Sequence, residues 1–154
     1  LKDHYDYIVI DTSPFFNDTN LTALDLSTQI LLVLAMDLAT IKNVKLSLEL
    51  LESLQHLNKT KLILNRASDD MGITIADAEE TLNFLVAGHI PSEGKIVVPA
   101  LNEGIPFVLS HPTAKVSKAI QEVGNLVLKD NGYQEDLRIK QNKNFFTRLF
   151  NRGD

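Results

Sequence analysis

The chain has 154 residues, 44% of them hydrophobic and 23% charged, with no cysteine and a formal net charge of -5. These are the proportions of one globular domain with a sizeable core, and the lack of cysteine excludes disulfide staples, thiolate zinc sites and cysteine-ligated iron–sulfur clusters. No apolar run approaches the roughly 20 residues of a membrane span and no signal-peptide pattern opens the sequence, which reads as that of a cytoplasmic protein.

The charge is unevenly placed. Residues 1–137 hold 10 basic and 19 acidic side chains, whereas 138–152 hold five cations and no acid. An acidic body repels nucleic-acid phosphates, and the basic tail is a separate device.

In chain order, the first apolar run, Tyr5 to Ile10, predicts a buried strand that ends in Asp11, with Pro14 turning the chain three residues later. Ligands of parallel α/β sheets bind beyond the carboxyl ends of strands. A carboxylate there can hold a hydrated Mg²⁺ beside a nucleotide phosphate, or simply cap the following turn. A short helix is expected over Asn20 to Ser27, a second buried strand over Ile30 to Ala35, and a long helix over Leu38 to Leu57, with Ile41, Val44, Leu48, Leu51 and Leu54 on one face. A third strand, Lys61 to Leu64, ends in Asn65 and Arg66. An Asn amide there can both donate and accept toward a base edge, or the pair can be ordinary strand-end loop residues.

Thr74 followed by Asp77 is an N-terminal cap pattern for a helix over Thr74 to Phe84. A fourth strand, Leu85 to Ile90, runs into Pro91, Ser92 and Glu93. A short apolar turn, Ile96 to Leu101, should follow, and Gly104 suits a left-handed residue that ends a helix. The same stretch also reads as a surface loop stiffened by Pro91, Pro99 and Pro106. A last helix is expected over Val116 to Leu128, closed by Asn131-Gly132. Barely alternating apolar strands between helices predict an α/β fold: a three-layer, mostly parallel sheet flanked by helices. The body should occupy 1–133 and the tail 134–154. His4, His56, His89 and His111 are scattered and predict no metal cluster.

Asp-Thr-Ser-Pro (11–14), Asn-Arg (65–66) and Ile-Pro-Ser-Glu (90–93) with Asn-Glu-Gly-Ile-Pro (102–106) come in an order and spacing that resemble the second half of the MinD/ParA family of P-loop ATPases. The resemblance runs from about Tyr5 to Leu128. Residues 37–54 and 64–82 are most similar to the CpaE/TadZ-type pilus-assembly ATPases. The resemblance implies a SIMIBI-class nucleotide-binding fold and the cofactors ATP/ADP and Mg²⁺. It implies that Asp11 is the Walker B acid reaching Mg²⁺ through water, and that Asn65 lies at the adenine with Arg66 beside it. Pro91, Ser92 and Glu93 would pack against base and ribose. Ser13 stands where the family usually has Pro.

The family's Gly-rich phosphate loop has no counterpart here: the glycines are 72, 88, 94, 104, 124, 132 and 153, and Ile96 follows Glu93-Gly94-Lys95 where Ser or Thr would bind Mg²⁺. The chain is therefore expected to be the carboxyl-terminal half of a larger ATPase, lacking the P-loop strand. A gap in its sheet would leave it poorly stable or oligomeric alone and unable to bind ATP. The complete protein is expected to form an ATP-dependent homodimer with slow hydrolysis. It would position a pilus, secretion or division-site assembly; the alternatives are a non-hydrolysing localisation scaffold or a ParA-type DNA-partition ATPase.

In the tail, Phe145, Phe146, Leu149 and Phe150 share one side of a helical projection, with Arg148 and Arg152 off it. Together with Lys140 and Lys143 they suit an anionic bilayer, and the tail resembles the membrane-targeting helix of MinD proteins. That implies a peripheral position at the inner face of the plasma membrane. A terminal helix docked on its own body or on a partner would use the same residues. Rival readings meet specific obstacles. A bacterial tyrosine kinase usually carries a Tyr-rich tail, a nitrogenase-reductase-like protein needs bridging cysteine, and DNA partition needs a basic surface.

Overall fold

The computed structural model describes residues 4–67 and 72–130, the last two without their side chains. In order, the elements are α1 (Asp18–Leu26), β1 (Ile30–Leu34), α2 (Leu38–Ser53), a 3-10 turn (Leu57–Lys59) and β2 (Thr60–Ala67). They continue with α3 (Ile75–Leu82), β3 (Val86–Pro91), α4 (Gly94–Glu103), α5 (Phe107–Ser110) and α6 (Lys115–Asp130). The closing Asn131-Gly132 and the tail residues Lys140, Lys143, Phe145, Phe146, Arg148, Leu149, Phe150 and Arg152 lie outside the described residues.

The strands form a parallel three-stranded sheet in the order β1-β2-β3. Side chains alternate between its faces. Leu34, Leu62 and Leu64 turn to one face and pack with Met36, Ile41, Val44 and Leu48 of the β1–α2 segment and Ala78 and Leu82 of α3. The opposite face is covered by α6, which lies on β3. Gly88 makes that approach close, since a Cβ there would meet Val123 Cγ2 at 3.3 Å and Leu126 Cδ1 at 3.4 Å. Over β1 this second face is open: Leu31 is 41% and Val33 55% exposed.

Local chemistry sets the helix ends. Asp37 accepts from the Thr40 N–H at 2.8 Å and starts α2. Thr74 and Asp77 form the expected capping box on α3, with the Asp77 N–H donating to Thr74 Oγ1 and the Thr74 N–H to Asp77 Oδ2. Gly104 ends α4 at φ 68°, as its position predicts.

Two expectations need correction. Tyr5 to Ile10 is not a strand: it is irregular, and Ile8, Val9 and Ile10 are exposed. An extended run becomes a strand only when a neighbour satisfies its N–H and C=O groups, and no described strand pairs with it. The apolar stretch after Glu93 is not a short turn or a loop but helix α4, which accepts Pro99 in its interior. The proline removes one backbone donor from the helix without ending it.

Candidate functional site

The carboxyl ends of the three parallel strands lie along one edge of the sheet. There β1 leads to Asp37, β2 to Asn65 and Arg66, and β3 to Pro91, Ser92 and Glu93. Asn65 is level with Ile90 and Ala67 with Pro91, and Arg66 is an extra residue between them. This bulge puts Arg66 in the left-handed region, at φ 55°, and its N–H donates to Asn65 Oδ1 at 2.9 Å. A side-chain carbonyl that holds the next peptide stabilises the bend. Bulges at strand ends re-aim side chains, and here the exposed guanidinium is displaced from the ladder. The Ser92 N–H donates to the Ala67 carbonyl at 3.1 Å, extending the β2–β3 contact by one residue.

Tertiary structure therefore brings together five of the sequence-designated residues: Asn65, Arg66, Pro91, Ser92 and Glu93. Glu93 also makes a contact that sequence did not reveal. Its Oε2 accepts from the Val116 N–H at 2.7 Å, capping the start of α6 across 23 residues. An acidic side chain at a helix start satisfies an orphan donor and favours the dipole.

Asp11 stands apart from this picture. It is exposed and follows irregular backbone rather than a strand. The turn just after it is organised by Asn20, whose Nδ2 donates to Ser13 Oγ at 2.9 Å, the Ser13 carbonyl at 3.1 Å and the Phe15 carbonyl at 2.6 Å. Asn17 caps α1 by accepting from the Asn20 N–H at 2.9 Å. Ser13, the departure from the family pattern, thus serves as an acceptor in its own turn.

Among the described residues no group of three or more His, Cys, Asp or Glu converges as a metal cage. Mg²⁺ keeps several waters and takes one or two carboxylates together with substrate phosphates. A lone exposed Asp11 fits that water-mediated role and no protein-enclosed site. Two shallow clefts, about 300 and 330 Å³, run between β3 and α6, and the second is bordered by His89, Pro91, Lys115, Lys118 and Glu122. Neither is lined by Asn65 or Arg66. No described helix is long and apolar enough to cross a membrane.

No family model matches the chain. It is 24% identical over 153 residues to an Oltmannsiellopsis viridis protein provisionally named septum site-determining protein MinD, covering 96% of this chain and 48% of that one. Its fold is similar to that of a ParA family ATPase from Chlorobium tepidum, with a TM-score of 0.72, 22% identity, and 77% of this chain against 50% of the other. MinD in the MinC:MinD cell division complex of Aquifex aeolicus gives a TM-score of 0.66 at 25% identity, covering 74% and 48%. The chain thus shares low-identity homology with the MinD/ParA ATPases and has the corresponding parallel-sheet fold. It spans about half the length of the curated relatives it matches.

Proposed function

We propose that this chain is the carboxyl-terminal half of a MinD/ParA-like ATPase and supplies the base-facing rim of its nucleotide site. The observation that supports this most directly is the bulged register at the ends of β2 and β3, which sets Asn65 and Arg66 beside Pro91 and Ser92. In this reading Asn65 and Arg66 meet the adenine, Pro91–Glu93 flank base and ribose, and Asp11 reaches Mg²⁺ through water. The phosphate-binding loop belongs to the other half. β1 is an edge of the described sheet, consistent with a sheet that continues beyond it, and the open face over Leu31 and Val33 is consistent with a further layer there.

ATP then drives homodimerisation, and the dimer positions a pilus, secretion or division assembly at an anionic membrane, with the basic Phe-rich tail as the membrane contact. The similarity to a ParA family ATPase does not transfer a DNA-binding role, because 19 acids against 10 cations in residues 1–137 disfavour phosphate backbones.

Isothermal titration with Mg-ATP tests the reading. The isolated chain should show no micromolar binding, and the same chain joined to a P-loop-bearing amino-terminal half should. Micromolar binding by the isolated chain would overturn it. Asp11→Ala in the complete protein should abolish Mg-ATP-dependent dimers, whereas unchanged dimers would indicate the scaffold alternative. Deleting 138–154 should abolish pelleting with anionic liposomes, and unchanged pelleting would remove the membrane contact.

A further inference from the structure

Helix α1 is anchored in an unusual way. It has nine residues and none is buried. A helix this short is marginal by itself and normally docks through an apolar face. Here its carboxyl end is gripped by polar groups from the segment leading into β2. The Lys59 ammonium donates to the carbonyls of Leu24 at 2.8 Å, Ser27 at 3.0 Å and Asp25 at 3.4 Å. His56 Nε2 lies 2.8 Å from Asp25 Oδ1. The Thr60 hydroxyl in turn donates to the His56 carbonyl at 2.8 Å, fixing the turn that presents both side chains.

Those carbonyls are the orphan acceptors of a helix end, where a cation is favoured by both hydrogen bonding and the dipole. The Lys59 bonds to the Leu24 and Ser27 carbonyls are partly buried and so less screened than a surface pair, whereas the His56–Asp25 contact is exposed. At the other end of α1, Asn20 holds Ser13 and Phe15. One continuous series of contacts therefore runs from the start of β2, through α1, to the turn that follows Asp11.

We infer that Lys59, assisted by His56, is a clamp that docks α1 and thereby positions the Ser13–Phe15 turn. The clamp is polar and local, so α1 can be released while the sheet core stays folded. This is a positioning role for Lys59, and it does not depend on the nucleotide reading of the site.

Hydrogen exchange on the full chain tests it without any ligand. Lys59→Met keeps much of the aliphatic stem but removes all three donors. Amides of residues 21–27 should then exchange about tenfold faster or more, with a smaller rise through 15–17, while Leu62–Leu64 in the core keep their protection. Lys59→Arg, which can still donate to helix-end carbonyls, should restore part of the protection. Asn20→Ala should loosen 13–17 but leave 24–27 protected.

Unchanged exchange in α1 of Lys59→Met overturns the inference, as does an equal rise in β2, which would make Lys59 a residue of global stability. If that variant cannot be produced folded, Lys59→Gln, whose shorter uncharged amide cannot reach all three carbonyls, is read in the same way: faster exchange over 21–27 with Leu62–Leu64 unchanged supports the clamp, and unchanged exchange overturns it.

Discussion

The Glu93 carboxylate accepts a hydrogen bond from the Val116 N–H at 2.7 Å, tying the residue before α4 to the first turn of α6. A residue expected at base and ribose thus also fixes the helix that covers the sheet. Its removal should cost stability whether or not nucleotide is present. Glu93→Ala should lower unfolding free energy by about 1–2 kcal/mol and Glu93→Gln by about 0.5–1, because the amide oxygen still accepts but lacks the charge. Urea denaturation measures both. Equal losses for the two variants would mean the charge contributes nothing.

Arg66 shows the opposite balance. Its left-handed backbone, φ 55°, costs a non-glycine residue about 1–2 kcal/mol, and glycine relieves this at an entropic cost of about 0.5–1. Arg66→Gly should therefore be as stable as the parent or up to about 1 kcal/mol more stable. In the complete ATPase the same change should weaken nucleotide binding. A variant that gains stability and keeps full affinity would separate Arg66 from the proposed site.

The two faces of β1 give a matched comparison. Leu34 is fully buried, and Leu34→Ala should cost about 2–5 kcal/mol. Leu31 and Val33 are on the open face, so Leu31→Thr with Val33→Thr should change the stability of this chain by no more than about 0.5 kcal/mol per site. The double variant should also reduce self-association in light scattering, since the patch is apolar and exposed among the described residues. A large loss of stability would show that this face is covered.

Close packing at Gly88 gives a graded test. A Cβ there meets only the ends of the Val123, Leu126 and Ile63 side chains, at 3.3–3.5 Å. Those can shift slightly, so Gly88→Ala should be within about 1 kcal/mol of the parent. Gly88→Val should cost about 1–3 kcal/mol through overpacking of α6 against β3. Thermal unfolding reads the difference.

Acid should weaken two helix starts. Hydrogen bonds from the Thr40 hydroxyl, then its N–H, hold the Asp37 carboxyl below its ordinary 3.8, and Thr74 does the same for Asp77. Folding favours the charged form of both groups. Their contribution is complete above the ordinary value and is lost as pH falls through the lowered one. Asp37→Asn combined with Asp77→Asn should flatten the dependence of the urea midpoint on pH below about 4. The same slope in parent and double variant would exclude these caps as its source.

Sequence made the local features legible. The capping box at Thr74 and Asp77 and the left-handed Gly104 depend on neighbours a few residues away, and β1, β2 and β3 are marked by apolar runs that pair with one another in the fold. Helix α4 was missed because Pro99 and its flanking prolines suggested loop, yet one missing donor in a ten-residue helix is tolerated. The strand expected at Tyr5–Ile10 failed for the reverse reason: its local signal is strong, but no described strand pairs with it. For the candidate site, strand-end positions pointed to Asn65, Arg66 and Pro91–Glu93, whereas the bulge at Arg66 and the bond from Val116 to Glu93 had no local signature.

By itself, then, the sequence determined the three paired strands, helices α1, α2, α3 and α6, the parallel α/β class and the contrast between acidic and basic segments. All of these follow from composition, hydrophobic periodicity and short-range capping. Only tertiary structure decided which apolar run becomes a strand, which carboxylate caps a distant helix and how α1 is held by Lys59. Those outcomes rest on hydrogen-bond partners that lie tens of residues apart and meet only when the sheet has formed.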